Sequence, residues 1–195
     1  MKEPLKHLVL IGISTGGPES LGKIIPCLNK NKKVAIVIVQ HMPKGFTHHF
    51  AKRLNQLSQV EVKEVIDQEY LKGGTVYIVP SGQNVLIQKD GQLHLTYEKY
   101  GHYHQPSADV LFSSAAKNLY DENIFITACV LTGMGQDGLL GVQQLKNLKK
   151  KGLFIISQKL KTCYIDSMPK AIEAAQLNNE SMSLEEITDY INQLK

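Results

Sequence analysis

Three short stretches of the chain put a chemically competent residue where an apolar run gives out. Ser14 follows residues 8–13, His41 follows residues 34–39, and Asp137 lies in the glycine-rich stretch after residues 124–131. A fourth stretch, His104-Gln105-Pro106-Ser107-Ala108-Asp109, opens a helical segment. A serine hydroxyl is a poor nucleophile unless a base takes its proton, and the base works best when a third group orients it. Histidine titrates close to neutrality, so it can take that proton and return it to a leaving group. A carboxylate such as that of Asp137 supplies the orienting charge. Together these parts have the logic of a hydrolase.

Gly12-Ile13-Ser14-Thr15-Gly16 also fits the G-x-S-x-G pattern of a nucleophile held on a strand-to-helix turn. The pattern alone is weak, since composition gives it by chance to roughly one chain of this length in fifteen. Position adds weight: it follows a strand-like run and precedes Pro18 and Glu19, which suit the first turn of a helix. That helix start would offer free N–H groups to an oxyanion. Other readings stay open at this level. The turn could hold a phosphate, although neither G-x-G-x-x-G nor G-x-x-x-x-G-K-[ST] is present. The same cleft could serve a non-catalytic binding module. Asp137 could cap the helix that follows it, which would also keep it ionised. His48-His49 and His102-Tyr103-His104 have no carboxylate or cysteine at ligand spacing, so no metal site is expected.

Residues so far apart need a fold to gather them. Runs rich in Val and Ile at 8–13, 34–39, 75–79, 124–131 and 153–157 read as strands buried on both faces. Helices are predicted over 45–57, over 107–120 with Ser107 as N-cap, over 138–150 with a stop at Gly152, and over 168–176. A last helix starts from the capping box Ser183-Leu184-Glu185-Glu186 and ends near Leu194. Residues 85–88 and 92–97 flank Asp90-Gly91 and read as a hairpin. The alternation predicts an α/β fold: three layers, doubly wound, with a mostly parallel sheet, helices on both faces and one β-hairpin, in a single domain over 1–195. Ligands of such sheets sit beyond the carboxyl ends of the strands. Ser14, His41 and Asp137 are therefore expected at one edge.

With 195 residues, 43% hydrophobic and 21% charged, the chain is long enough for one domain with a substantial core. The net charge of +4 is mild, fits an acidic partner surface without demanding one, and gives no reason to expect nucleic acid. Much of the excess sits in Lys30-Asn31-Lys32-Lys33 and Lys149-Lys150-Lys151, which read as solvated turns. Cys27, Cys129 and Cys163 show neither disulfide nor zinc spacing, which predicts a reducing, cytoplasmic location. The start is no signal peptide, and no run approaches the roughly 20 apolar residues of a membrane span, so no membrane insertion is expected.

Six motifs, in order, carry a resemblance: Gly12-Ile13-Ser14-Thr15-Gly16-Gly17-Pro18-Glu19-Ser20-Leu21, Val39-Gln40-His41-Met42-Pro43-Lys44-Gly45-Phe46-Thr47, residues 76–84, Pro106-Ser107-Ala108-Asp109-Val110-Leu111-Phe112, Leu131-Thr132-Gly133-Met134-Gly135-Gln136-Asp137-Gly138, and Met168-Pro169-Lys170-Ala171-Ile172. From about residue 8 to 176 the chain resembles the C-terminal catalytic domain of the chemotaxis protein-glutamate methylesterase (CheB-type) family. The resemblance implies a triad of Ser14, His41 and Asp137. It also implies supporting roles for Thr15 beside the nucleophile and for Met134, whose N–H faces the oxyanion. The implied activity is hydrolysis of glutamyl methyl esters on the cytoplasmic signalling helices of methyl-accepting chemotaxis receptors, with deamidation of particular glutamines as a companion reaction and no cofactor or metal. Two features depart from the family's pattern. A receiver domain usually precedes this one, whereas strand one opens this chain. Lys159 stands where the family tends to have Asp, and Ser167 where it tends to have Gly; both are expected to bear on substrate contacts rather than on the chemistry.

Overall fold

The computed structural model describes residues 5–119, 123–149 and 151–195. Its elements run β1 (His7–Ile13), α1 (Gly17–Ile24), β2 (Val34–Gln40), α2 (Phe46–Leu57), β3 (Glu61–Glu64), β4 (Glu69–Tyr70), β5 (Thr75–Ile78), β6 (Asn84–Ile87), β7 (Gln92–Thr96), α3 (Ala108–Asn118), β8 (Phe125–Val130), α4 (Leu139–Leu148), β9 (Leu153–Gln158), α5 (Ser167–Ala174), β10 (Glu180–Met182) and α6 (Leu184–Gln193). Seven strands form one sheet in the order β10-β9-β8-β1-β2-β5-β3, and every pair in it is parallel. From β1 the chain builds outward on one side through β2, and later on the other through β8. The order therefore reverses between β1 and β8, and connections leaving in opposite directions open a crevice there.

Successive side chains of a strand face opposite ways. Leu8, Leu10, Val37, Val39, Ala128 and Val130 point into a core shared with Phe112 of α3, Val142 of α4 and Ile172 of α5. Val9, Ile11, Ile13, Ile36, Ile38 and Cys129 point into a second core with Leu21 of α1, Leu54 of α2 and Ile187 of α6. The central strands are buried on both faces, which is why they read as unbroken apolar runs. Cys129 is fully buried. Burial pushes its thiol up to about 12, so it behaves as the small hydrophobe expected.

A second, antiparallel sheet of order β4-β7-β6 carries the expected hairpin. The turn at Asp90-Gly91 closes with the Gly91 N–H donating to the Gln88 carbonyl at 2.9 Å. This small sheet holds the segment that opens α3. Asn84 Oδ1 accepts from the Ser107 N–H at 2.8 Å, and the Gln105 carbonyl accepts from the Gly82 N–H at 2.9 Å.

Some boundaries differ from expectation. The strands β3, β4 and β10 have only four, two and three residues and carry charged side chains, too short to show a period in the sequence. Helix α3 ends at Asn118 and α4 at Leu148. Tyr120 and Lys150, the predicted ends, lie outside the described residues. Helix α5 stops at Ala174, and Gln176 beyond it has φ 53°, incompatible with continuing the helix. The capping box of α6 is formed as predicted, with Ser183 Oγ accepting from the Glu186 N–H and the Glu186 carboxylate accepting from the Ser183 N–H. Among the described residues no helix is long and apolar enough to cross a membrane.

Candidate active site

Ser14 is the first residue past β1, and its backbone is fixed from three sides. Its N–H donates to the Thr132 carbonyl at 3.0 Å, and its carbonyl accepts from Gln40 Nε2 at 3.0 Å and from the Gly17 N–H at 2.8 Å. The side chain stays half-buried at the crevice between β1 and β8. The approach from β8 is close: a Cβ on Gly133 would lie 2.7 Å from that of Ser14, so only glycine fits there. The hydroxyl oxygen of buried Thr132 lies 3.0 Å from the Thr15 carbonyl oxygen and 3.1 Å from that of Ile165, so its one O–H can serve either. Neither Gln40 nor Thr132 carries a motif of its own in the sequence. Their one signal was a polar residue closing an otherwise apolar run.

His41 is the first residue past β2. The β1–β2 ladder pairs Ile13 with Gln40, and the His41 N–H donates to the Ile13 carbonyl at 3.1 Å. The paired ladder ends there, and Ser14 and His41 are the next residues along the two strands. Its Nε2 lies 2.7 Å from Asp137 Oδ2, with the two side chains 11% and 7% exposed. The other ring nitrogen, Nδ1, is buried and has no hydrogen-bond partner among the described residues. A buried polar atom without a partner is costly unless something occupies it in use.

Asp137 does not cap the helix that follows it. The cap position of α4 is Gly138, with φ 100°. The Asp137 carboxylate turns instead to the N-terminus of α3. Oδ1 accepts from Ser107 Oγ at 2.8 Å and the Asp109 N–H at 3.0 Å, and Oδ2 accepts from the Ala108 N–H at 2.7 Å as well as from His41. Burial works to raise its pKa. The hydrogen bonds from His41 and the Asp109 N–H, together with the charge of His41, overcome this and hold the carboxyl down at about 2. The expectation of an ionised carboxylate at a helix start is met, but on a different helix. Asp109 is the converse. Burial raises its carboxyl to about 6 against the pull of the Gly141 N–H, with the Asp137 charge adding to the rise.

The ring of His104 stacks on that of His41, with centroids 4.2 Å apart and planes at 19°. Burial and the neighbouring His41 lower the His104 pKa, against the opposite pull of Asp137. The sequence placed His104 only in the segment opening α3. Its stacking is a tertiary contact that no local pattern announces. His102 Nδ1 lies 3.7 Å from Asp109 Oδ2, so the fold supplies a carboxylate that spacing did not. Donor atoms of His102, Asp109 and Asp137 lie within 4.8 Å of one another. The Asp137 oxygens already accept four hydrogen bonds, so a cation would have to displace them.

Thr15 and Met134 are exposed at the rim, and among the described residues neither N–H has a partner. Gly17 N–H, by contrast, is taken up by the Ser14 carbonyl, so the helix start offers fewer free donors than expected. The loop carrying Met134 is bracketed by the Ile165 carbonyl, which accepts from the Gly133 N–H at 2.9 Å, and by the Met168 N–H, which donates to the Gly133 carbonyl at 3.1 Å. Ser167, which starts α5, therefore adjoins this loop. Lys159 is drawn away from it, with Nζ 2.6 and 2.5 Å from the two Glu186 oxygens at the start of α6.

Residues 9–191 match the sequence profile described as CheB methylesterase. The protein-glutamate methylesterase/protein-glutamine glutaminase 1 of Saccharophagus degradans is 41% identical over 191 residues, covering 94% of this chain and 49% of that protein. The corresponding protein of Bacillus subtilis is 40% identical over 185 residues, covering 93% and 50%. The chain thus spans about half the length of the curated relatives it matches. The crystal structure of the Thermotoga maritima CheB methylesterase catalytic domain superposes with a TM-score of 0.88 at 34% identity, covering 97% of this chain and 99% of that one. The chain belongs to the CheB methylesterase family.

Proposed function

We propose that this chain is the catalytic domain of a protein-glutamate methylesterase, a serine hydrolase that cleaves methyl esters from glutamate side chains of methyl-accepting chemotaxis receptors. The observation that carries this is the His41–Asp137 pair at 2.7 Å, which leaves His41 Nδ1 buried without a partner among the described residues, one residue past the β1–β2 pair of Ile13 and Gln40 as Ser14 is. Asp137, kept ionised, fixes Nε2–H and compensates the charge that forms on the ring. Nδ1 takes the Ser14 proton as Oγ attacks the ester carbonyl. The oxyanion meets the N–H groups of Thr15 and Met134, which have no other partner among the described residues. The imidazolium returns the proton to the departing methoxide, methanol leaves, and water clears the acyl-enzyme by the same route. The same steps with a glutamine side chain release ammonia. No step calls for a cofactor or metal, and the work is done at cytoplasmic receptor helices.

Methanol release from methylated receptor tests the proposal. Ser14→Ala should lower kcat by about 10⁴ or more. A serine-directed fluorophosphonate should label the native protein once and the Ala variant not at all. Receptor binding without turnover in the native protein, or near-native turnover in Ser14→Ala, would overturn it.

A further inference from the structure

The helices α3 and α4 exchange caps. Asp137 precedes α4 yet accepts from the first N–H groups of α3, whereas Asp109 lies in the first turn of α3 yet accepts from α4. Asp109 Oδ1 takes the Gly138 N–H at 3.0 Å and the Gly141 N–H at 2.8 Å. Both donors stand at a helix start, where no intrahelical acceptor exists. Gly138 has a left-handed backbone and no side chain, so α4 has no cap of its own. Asp109 is 5% exposed, which keeps water from substituting for its oxygen. The helices are pressed together here: a Cβ on Gly141 would lie 2.6 Å from Phe112 Cβ and 2.9 Å from the Asp109 carbonyl oxygen.

Gly138 is the immediate neighbour of Asp137. The Asp109 side chain therefore fixes the backbone on one side of Asp137, while the Asp109 N–H fixes the Asp137 carboxylate itself at 3.0 Å. One residue holds the carboxylate from two directions, and that carboxylate in turn aims His41. We infer that Asp109 is a positioning residue for the esterase reaction, acting on His41 through Asp137 by clamping the start of α4 to the start of α3. This rests on the proposed esterase function for its kinetic consequences, but not for its spectroscopic one.

An imidazole N–H held 2.7 Å from an ionised carboxylate gives a proton resonance far downfield of other signals. Proton NMR of the native chain should show it for His41 Nε2–H. In Asp109→Ala that resonance should broaden into exchange with solvent, while kcat falls about 10- to 100-fold with KM little changed. Asp109→Asn keeps an oxygen that can accept from both N–H groups, so it should retain the resonance and most of kcat. Residues that act as one unit are not additive. In an Asp137→Ala background, Asp109→Ala should thus lower kcat by less than about threefold more, whereas an independent loss would multiply. A native-like downfield proton in Asp109→Ala overturns the inference, as does a full multiplicative loss in the double variant. If Asp109→Ala does not fold, amide exchange on the native chain decides instead. The Gly138 and Gly141 N–H groups should exchange as slowly as helix-interior amides, and fast exchange at both overturns the inference. Should Ser14→Ala remain active, the esterase reading falls and the resonance and exchange data alone judge the clamp.

Discussion

At the level of single residues, the site is a contest between burial and hydrogen bonding. Asp137 shows the sign. Its carboxyl is held at about 2 in the fold against an ordinary 3.8, so folding favours its charged form. That contribution is complete above about pH 4 and drains away as pH falls through about 2. Nearly two units correspond to about 2 kcal/mol. Asp137→Asn should therefore be less stable than the native chain by about that amount at pH 7, and urea unfolding should show the difference closing toward pH 2. A difference independent of pH would mean that shape, not charge, matters at this position. His104 acts by contact instead. Its ring covers one face of His41, and aromatic stacking of this kind is worth about 0.5–1.5 kcal/mol. His104→Ala should lower kcat by roughly 2- to 12-fold, and His104→Phe should restore it. Failure of Phe to restore activity would point to a role for the ring nitrogens. Ser14, His41 and Asp137 stand out in the sequence as candidates because each closes or follows an apolar run. Asp109 and His104 were visible only as members of a motif, since their partners are set by how α3 meets α4 and β2.

At the level of elements, strand ends do the positioning, and two glycines show how tight that is. Gly133 follows β8 where the backbone passes Ser14, and a Cβ there would lie 2.7 Å from the Ser14 Cβ and 3.2 Å from its nitrogen. Neither neighbour is a flexible chain end that could give way. Gly133→Ala should cost about 1–3 kcal/mol by overpacking. Displacing Ser14 by a fraction of an ångström to one ångström should lower kcat/KM by about 100-fold. Gly22, inside α1, is the control, because a Cβ there meets nothing within 4 Å. Gly22→Ala should stabilise by about 0.5–1 kcal/mol, with turnover unchanged. Thermal unfolding and methanol release on the two variants check both directions. The elements that carry the site were readable because strands buried on both faces leave continuous Val and Ile runs. The short strands β3, β4 and β10 were not, because they lie away from the central strands and have too few residues to show a period.

At the level of the whole molecule, the site exists because the strand order reverses between β1 and β8. The reversal brings the loop after β8 beside the loop after β1, while the adjoining β2 ends just before His41. The sequence could predict strands and helices but not this order, since pairing depends on which faces pack. Phe112 links that packing to the chemistry. It is fully buried in the core beneath the sheet, on α3 one turn after Asp109, and it lies against Gly138 and Gly141 at the start of α4. Truncating such a side chain removes its transfer free energy and leaves a cavity, about 3–5 kcal/mol together. For a chain of this size each kcal/mol moves Tm by about 2–4 °C, so Phe112→Ala should melt roughly 6–20 °C lower. Leu57→Ala, at an exposed position on α2, should stay within about 0.5 kcal/mol. If α3 and α4 together hold Asp137, Phe112→Ala should also lose activity well below its own melting point. Full activity in that variant up to the edge of unfolding would show that the core supports the fold without setting the geometry of the site.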